Sequence, residues 1–227
     1  MRGNTFTATD VSLDMIETTI SPDLASPIDG LEIDDTTQRR LFLDARSNTG
    51  FTQREVPDTV IRDVFDLIKW GPTANNTVPL RVAIARSDEA RAAVIANAAE
   101  GNRAKLEKAP LLLVVARDNR FHDHFSVTAP GSEATAQRLE DAPDRRVSMA
   151  TSGSWLQGGY LIVGLRAAGL AVRPYGGFDA AGLDQSLFEG TSWSSMMLLG
   201  VGYPSDADHG AGPRKGRVAA DVGVKTL

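Results

Sequence analysis

Residues 111–116 read Leu-Leu-Leu-Val-Val-Ala and follow Pro110, an unbroken apolar run of strand length. A strand with one wet face alternates apolar and polar residues, whereas a run without polar positions is expected where a strand is covered on both faces. Met196-Met197-Leu198-Leu199-Gly200-Val201 reads the same way. Shorter strands are expected at Val82–Ala85 and Leu170–Arg173.

Helical patterns lie between these runs. Val60, Ile61, Val64, Phe65, Leu67 and Ile68 share helical spacing behind Asp58, read as the N-cap after Pro57, and Gly71-Pro72 ends that helix. Ser87 caps a helix through Ala98, and a basic helix follows around Asn102 to Lys108. A long helix is expected from Ser148 to Ala168, closed by Gly169. Its apolar positions, including Trp155, Leu156, Leu161, Ile162 and Leu165, exceed one narrow stripe, which places it centrally or at an interface. A further helix is expected from Asp179 to Phe188, and a first one from Asp34 through Arg46 with a turn at Asn48-Thr49-Gly50. Residues 118–146, polar and broken by Pro130, Gly131 and Pro143, read as a long irregular segment, either a binding lid or a plain insertion. The expected fold class is α+β, a three-layer α/β/α arrangement with a central mixed sheet flanked by helices. Residues 1–33, rich in Thr, Ser, Asp and Pro, read as an arm or flexible leader before one domain at 34–227.

Composition narrows the function. With 227 residues, 42% of them hydrophobic, the chain can bury one substantial core. A net charge of -5 disfavours the basic footprint by which proteins neutralise nucleic-acid phosphates, so no nucleic-acid partner is expected. The absence of cysteine excludes disulfides, thiolate metal sites and cysteine nucleophiles. No apolar run of signal-peptide length follows Arg2 and no stretch approaches a membrane span, so a cytoplasmic protein without a membrane partner is expected.

The common catalytic signatures are missing. No Gly-x-Gly-x-x-Gly follows a strand, and neither a P-loop nor a Gly-x-Ser-x-Gly elbow occurs. The histidines are His122, His124 and His209. The first two would share one face of a strand, but a third ligand at metal spacing is lacking, so no metal is expected. His124 is a candidate general acid or substrate contact, a surface-loop role being the alternative. Two features remain. One is a scattered polar and basic set: Arg46-Ser47, Asn76 after Gly71-Pro72-Thr73, and Lys215-Gly216-Arg217. The other is the turn Pro174-Tyr175-Gly176-Gly177-Phe178 directly after an apolar strand. A phosphate calls for guanidinium, ammonium and hydroxyl donors, and a flat heterocycle calls for backbone amides that glycine lets approach closely. Singly these are ordinary surface features; together they suggest a phosphorylated, ring-bearing cofactor.

In order and spacing these pieces resemble the FMN-binding nitroreductase family. The resemblance rests on Ala45-Arg46-Ser47 with Gly50-Phe51, Lys69-Trp70-Gly71-Pro72-Thr73-Ala74-Asn75-Asn76 with Pro79, and Leu156-Gln157-Gly158-Gly159-Tyr160-Leu161. It continues through Pro174-Tyr175-Gly176-Gly177-Phe178-Asp179, Leu199-Gly200-Val201-Gly202-Tyr203-Pro204 and Lys215-Gly216-Arg217. Within the family, WGPT, LQGGYLI and GGFD look most like the malonic semialdehyde reductase branch. The resemblance implies a homodimer whose pocket is built from both subunits, with the helix around Trp155 to Leu165 at the interface. It implies that Arg46, Ser47, Lys215 and Arg217 hold the FMN phosphate, that Asn76 meets the isoalloxazine edge, and that the Gly177 amide faces flavin N5 with Pro174, Tyr175 and Gly176 beside it. NADH or NADPH would be the diffusible hydride donor in a ping-pong cycle, and malonic semialdehyde, a nitroaromatic or a quinone the acceptor. The flavin carries the chemistry, so no catalytic triad is required. His124 or Tyr175 would supply the proton that an aldehyde needs. The chain departs from the family at Thr49, Val78 and Gly176, where many members carry Lys, a polar side chain and Glu respectively. These departures leave open a flavin-binding protein without turnover.

Overall fold

The computed structural model describes residues 27–47, 50–205 and 215–227. Its sheet comprises β1 (Leu80–Ala85), β2 (Leu111–Asp118), β3 (Ala171–Tyr175) and β4 (Trp193–Gly202), in the order β1-β2-β4-β3. All three pairings are antiparallel, so among the described residues the sheet is not the mixed one expected from sequence. The connections explain this. Between β1 and β2 the chain runs through two helices, α3 (Asp88–Asn97) and α4 (Glu100–Glu107), one outward and one back. It therefore re-enters the sheet at the end where it left, beside the pair Ala85↔Leu112.

All six residues of the 111–116 run are buried, and their alternation divides the core into two layers. Leu111, Leu113 and Val115 join Met197, Leu199 and Val201 under α2 (Asp58–Ile68) and α7 (Pro143–Ala167). Leu112, Val114 and Ala116 join Leu198 under α3, α4 and α8 (Ala180–Leu187). The two-sided cover predicted from the apolar runs is present, with helices on both faces of one sheet.

Residues 118–146 are not the irregular segment expected. They form a 3-10 turn (Phe121–His124), α5 (Phe125–Thr128) and α6 (Glu133–Glu140) before α7 begins. Phe121, Phe125 and Leu139 bury a small third cluster against Ala150 of α7, which is enough to order short helices whose outer faces are polar. The supposed breakers sit at boundaries. Pro130-Gly131 separates α5 from α6, and Pro143 occupies the first turn of α7, where its missing N–H costs nothing. At the N-terminal side, α1 (Asp35–Gln38) runs into one π-helical turn (Arg39–Leu43). Buried Gln38 accepts from the Ile28 amide at 2.8 Å and donates to the carbonyls of Ile28 and Ile33. The remainder of the expected arm, residues 1–26, lies outside the described residues.

Helix α7 fixes the placement of its neighbours. It ends in a Schellman motif: Gly169, at φ +81°, donates to the Arg166 carbonyl, and Leu170 donates to that of Leu165. Buried Gln157 accepts from the Leu80 amide at 3.0 Å and so sets the start of β1. Gly164 lets α7 close on α2, because a Cβ there would lie 2.7 Å from Ile68 and 3.0 Å from Val64. Gly164→Val should therefore destabilise the protein by about 1–3 kcal/mol, since overpacking outweighs the helix propensity gained by losing glycine. An unchanged urea midpoint would show that the two helices do not meet so closely.

Candidate functional site

The loop from Thr73 to Pro79 carries most of the backbone strain. Asn75, Asn76 and Val78 all have positive φ, at 53°, 51° and 41°. Asparagine tolerates this region, but a β-branched valine does so only under constraint. The constraints are local. Thr73 accepts the Val78 amide at 3.2 Å, Arg81 donates to the Val78 carbonyl at 3.0 Å, and the Asn76 side chain donates to the Thr128 carbonyl at 2.7 Å. Strain held this way clusters at functional sites, which marks the loop.

Beside it, at the end of β2, Asp118 gathers four groups. Its Oδ1 accepts from Ser192 Oγ at 2.7 Å and the Arg120 amide at 2.8 Å; its Oδ2 accepts from Arg81 at 2.6 Å and lies 3.6 Å from His124 Nε2. Its side chain is 4% exposed. Burial alone would raise its carboxyl, but the Ser192 and Arg120 hydrogen bonds and the charges of Arg81 and His124 prevail and hold it below the ordinary value of 3.8. The Asp118 amide also donates to the Pro79 carbonyl, tying this cluster to the strained loop.

The two histidines do not share a face. On the 3-10 turn, His122 points inward to Glu140 Oε2 at 2.8 Å, whereas the His124 ring is 58% exposed. Among the described residues no group of three or more His, Asp or Glu is arranged to hold a metal ion. His209 lies outside the described residues.

At the exit of β3, Pro174, Gly176 and Gly177 are exposed, while the Tyr175 ring turns into the core. Its hydroxyl is buried without a partner, and burial raises its pKa. Only its backbone reaches the exposed side of the turn. The Gly177 carbonyl accepts from the Ala99 amide at 3.0 Å and Asn102 Nδ2 at 3.1 Å, and the Asp179 amide donates to Asn97. A Cβ on Gly177 would stand 3.1 Å from Asn102 and 3.3 Å from Ala99, so glycine permits this close seat. The Gly177 amide donates to no acceptor among the described residues.

The remaining anchors lie elsewhere. Gly50 to Thr52 runs alongside Tyr203 to Ser205 through the Phe51↔Pro204 bridge, just beyond the end of β4. Arg46 and Ser47 lead into that bridge. Lys215 and Arg217 are exposed, and Arg217 donates to the carbonyls of Lys215 and Gly216. Asn76 belongs to the opposite end of the sheet, beyond Leu80↔Arg117. The ten residues of β4 between these ends span roughly 30 Å. Thus one chain groups Asn76, Asp118 and His124 but keeps them at the far end of the strand from the Phe51 bridge. Thr49 lies outside the described residues. Sequence reasoning missed Asp118, Arg81 and Asn102; the available signal was an acid closing a fully apolar strand.

Comparison with known proteins agrees with this architecture. The Nitroreductase family model matches residues 44–203. A protein of Leptothrix cholodnii named "Putative NADH dehydrogenase/NAD(P)H nitroreductase" is 36% identical over 195 residues, covering 86% of this chain and 98% of its own. Among solved structures, a nitroreductase family protein from Streptococcus pneumoniae TIGR4 superposes with a TM-score of 0.68 at 17% identity, covering 85% of this chain and 98% of the other. A "putative nitroreductase in complex with FMN" from Exiguobacterium sibiricum 255-15 gives 0.65 at 16% identity, with 81% and 93% covered. The chain belongs to the nitroreductase family. No helix among the described residues is long and apolar enough to cross a membrane.

The depressed Asp118 carboxyl has a stability consequence. Its ionised form stabilises the fold above about pH 3.8, and that contribution fades as pH falls through its lower native value. Asp118→Asn should cost about 3 kcal/mol at pH 7, because it leaves Arg81 without its anion. The gap between variant and parent in urea melts should narrow below pH 4; a gap independent of pH would refute the ion pair's role.

Proposed function

We propose that this chain is an FMN-dependent NAD(P)H oxidoreductase that works as a homodimer and reduces a small acceptor, such as malonic semialdehyde, a nitroaromatic or a quinone. The observation that carries the reading is the donor set, on a chain of this family. Arg46, Lys215, Arg217 and the Ser47 hydroxyl suit a phosphate, and the exposed, unpartnered Gly177 amide sits in a seat that any side chain would crowd. These groups fit a flavin mononucleotide. When bound, FMN supplies the redox chemistry, accepting hydride from NADH or NADPH and giving it to the acceptor in ping-pong order.

The chain's own residues bind, orient and handle protons. Arg46, Lys215 and Arg217 would offset the phosphate charge while the Ser47 hydroxyl donates to it, and the Gly177 amide would donate toward flavin N5 with the backbone of Pro174, Tyr175 and Gly176 beside it. Asn76 keeps its Oδ1 and one amide hydrogen for the isoalloxazine edge after bonding Thr128. His124, exposed and 3.6 Å from Asp118, would give an aldehyde its proton, so that the aldehyde becomes an alcohol with the hydride that NAD(P)H gave up in the earlier half-reaction. The Tyr175 hydroxyl is the less suitable donor because it is buried. Residues 34–227 would form this cofactor-binding domain, with 1–33 as an arm.

Two features support the homodimer. The Phe51 bridge and Asn76 lie toward opposite ends of the sheet, so a flavin held by both would take its Asn76 from a second copy. In addition α7 leaves Trp155 51% and Leu156 47% exposed, and Trp70 after α2 is 82% exposed. These exposed apolar side chains are available to a partner copy.

Purified protein supplied with FMN should show a flavin spectrum that bleaches on anaerobic titration with NADH or NADPH and recovers with acceptor. Protein that takes up no FMN sinks the reading; bound flavin that neither nucleotide bleaches would instead indicate flavin binding without turnover. Arg46→Gln and Lys215→Gln should each weaken FMN binding about tenfold, the size of one charge-assisted hydrogen bond. His124→Gln should slow aldehyde reduction about 100-fold while leaving flavin bleaching by NADH at its parent rate. Equal slowing of both half-reactions would remove His124 from proton transfer.

A further inference from the structure

Helix α6 separates two arginine environments. On one side, Glu140 meets Arg120 at 3.2 Å, Arg146 at 2.9 Å and the His122 ring at 2.8 Å, so both arginine charges are paired. On the other side lies a cavity of about 430 Å3, bounded by Asn75, Phe125, Thr135, Arg138, Arg145 and Met149 among others. Its charged lining residues are Arg138 and Arg145, with no acidic side chain among them. The Arg145 side chain makes no hydrogen bond or ion pair among the described residues. Arg138 donates only to its own helix, to the Ala134 carbonyl at 3.2 Å and to Thr135 Oγ1 at 2.7 Å, which leaves Nη1 free.

Two guanidinium groups with no counter-ion around one hollow form a site for an anion, and their planar forks match a carboxylate. Phe125, Leu139 and Met149 supply an apolar wall for the rest of the molecule. The volume falls within the range of small-molecule pockets and is too small to enclose a dinucleotide. The cavity also adjoins the strained loop: Asn75 lines it, and Asn76 is bonded to Thr128, next to the lining residue Ala129.

We propose that this cavity is an acceptor subsite, and that Arg138 and Arg145 select a small acceptor bearing a carboxylate. This rests on the oxidoreductase reading for the meaning of acceptor. The specificity lies in charge: a neutral molecule of the same shape fills the apolar wall but leaves both arginines without a partner.

The test compares 4-nitrobenzoate with 4-nitrobenzamide, its neutral near-isostere, on the FMN-loaded enzyme with NADH. Each nitro group takes two electrons and two protons to a nitroso group and water. The parent enzyme should show the lower KM for 4-nitrobenzoate, and R145Q should reduce that preference about tenfold, with R138Q acting in the same direction. Equal KM values in the parent, or an equal rise for both acceptors in R145Q, would overturn the proposal. A rise confined to the KM for NADPH, with that for NADH unmoved, would overturn it by assigning the arginines to the donor's 2′-phosphate. Equilibrium dialysis of 4-nitrobenzoate reads the cavity apart from turnover. Retention by the parent that weakens in R145Q supports the cavity even if no NADH is consumed, in which case the oxidoreductase reading alone fails. No retention combined with normal turnover of 4-nitrobenzamide fails the cavity alone.

Discussion

Covering β2 on both faces is the constraint on which the rest of the structure depends. Each large aliphatic side chain buried there is worth about 1.5–3 kcal/mol, and each face gains its share only if it is covered. Leu111, Leu113 and Val115 need α2 and α7, while Leu112, Val114 and Ala116 need α3, α4 and α8. With both faces closed, polar chemistry is confined to strand ends. Asp118 closes β2, Gly176 and Gly177 follow β3, and the Phe51↔Pro204 bridge lies just past β4.

The same constraint explains where strain is tolerated. The chain must enter β1 from α2 in the few residues of the 73–79 loop, and Gln157 of buried α7 fixes the Leu80 amide at the end of that path. The loop absorbs the mismatch in positive φ at Asn75, Asn76 and Val78, and Asp118 secures its far side by accepting from Arg81 while its own amide donates to Pro79. An interior that cannot move thus places its strained segment beside a buried carboxylate and an exposed imidazole. That preorganised polarity is what a proton-transfer site requires.

Layering was legible in the sequence because two apolar runs have only one inexpensive solution, and helices α2, α3 and α7 carried clear periodicity or caps. Strand direction was not legible, since it depends on whether the connection between two strands, α3 and α4 in one case and α8 alone in another, returns the chain to the same end of the sheet, and no residue encodes that alone. Residues 118–146 misled because Pro130, Gly131 and Pro143 read as breakers when they are boundaries. Phe121 and Phe125 do sit four residues apart, at helical spacing, but with Leu139 alone beyond them the apolar signal is too sparse to outweigh the breakers. Arg46, Ser47, Asn76 and Gly177 stood out by chemistry and by family resemblance. Asp118 and the Arg138–Arg145 pair did not, because their significance lies in which charges surround them: a complete set of partners for Asp118, and none of opposite sign lining the cavity.

This contrast orders the polar groups by purpose. Where a charge holds the fold, it is matched: Arg81 with Asp118, and Arg120 and Arg146 with Glu140, which also meets the His122 ring. Matched charges within a folded chain lose little on being brought together. An arginine facing a hollow with no anion gains nothing for the fold, since its Coulomb attraction is unused and its neighbour of like charge repels it. Arg138 and Arg145 are exposed, so water meets their charge until an anion enters the hollow. The same logic applies to the Gly177 amide, exposed and unpartnered just past the end of edge strand β3. The unmatched groups therefore add to the well-bonded Asp118 cluster in the functional reading of this fold.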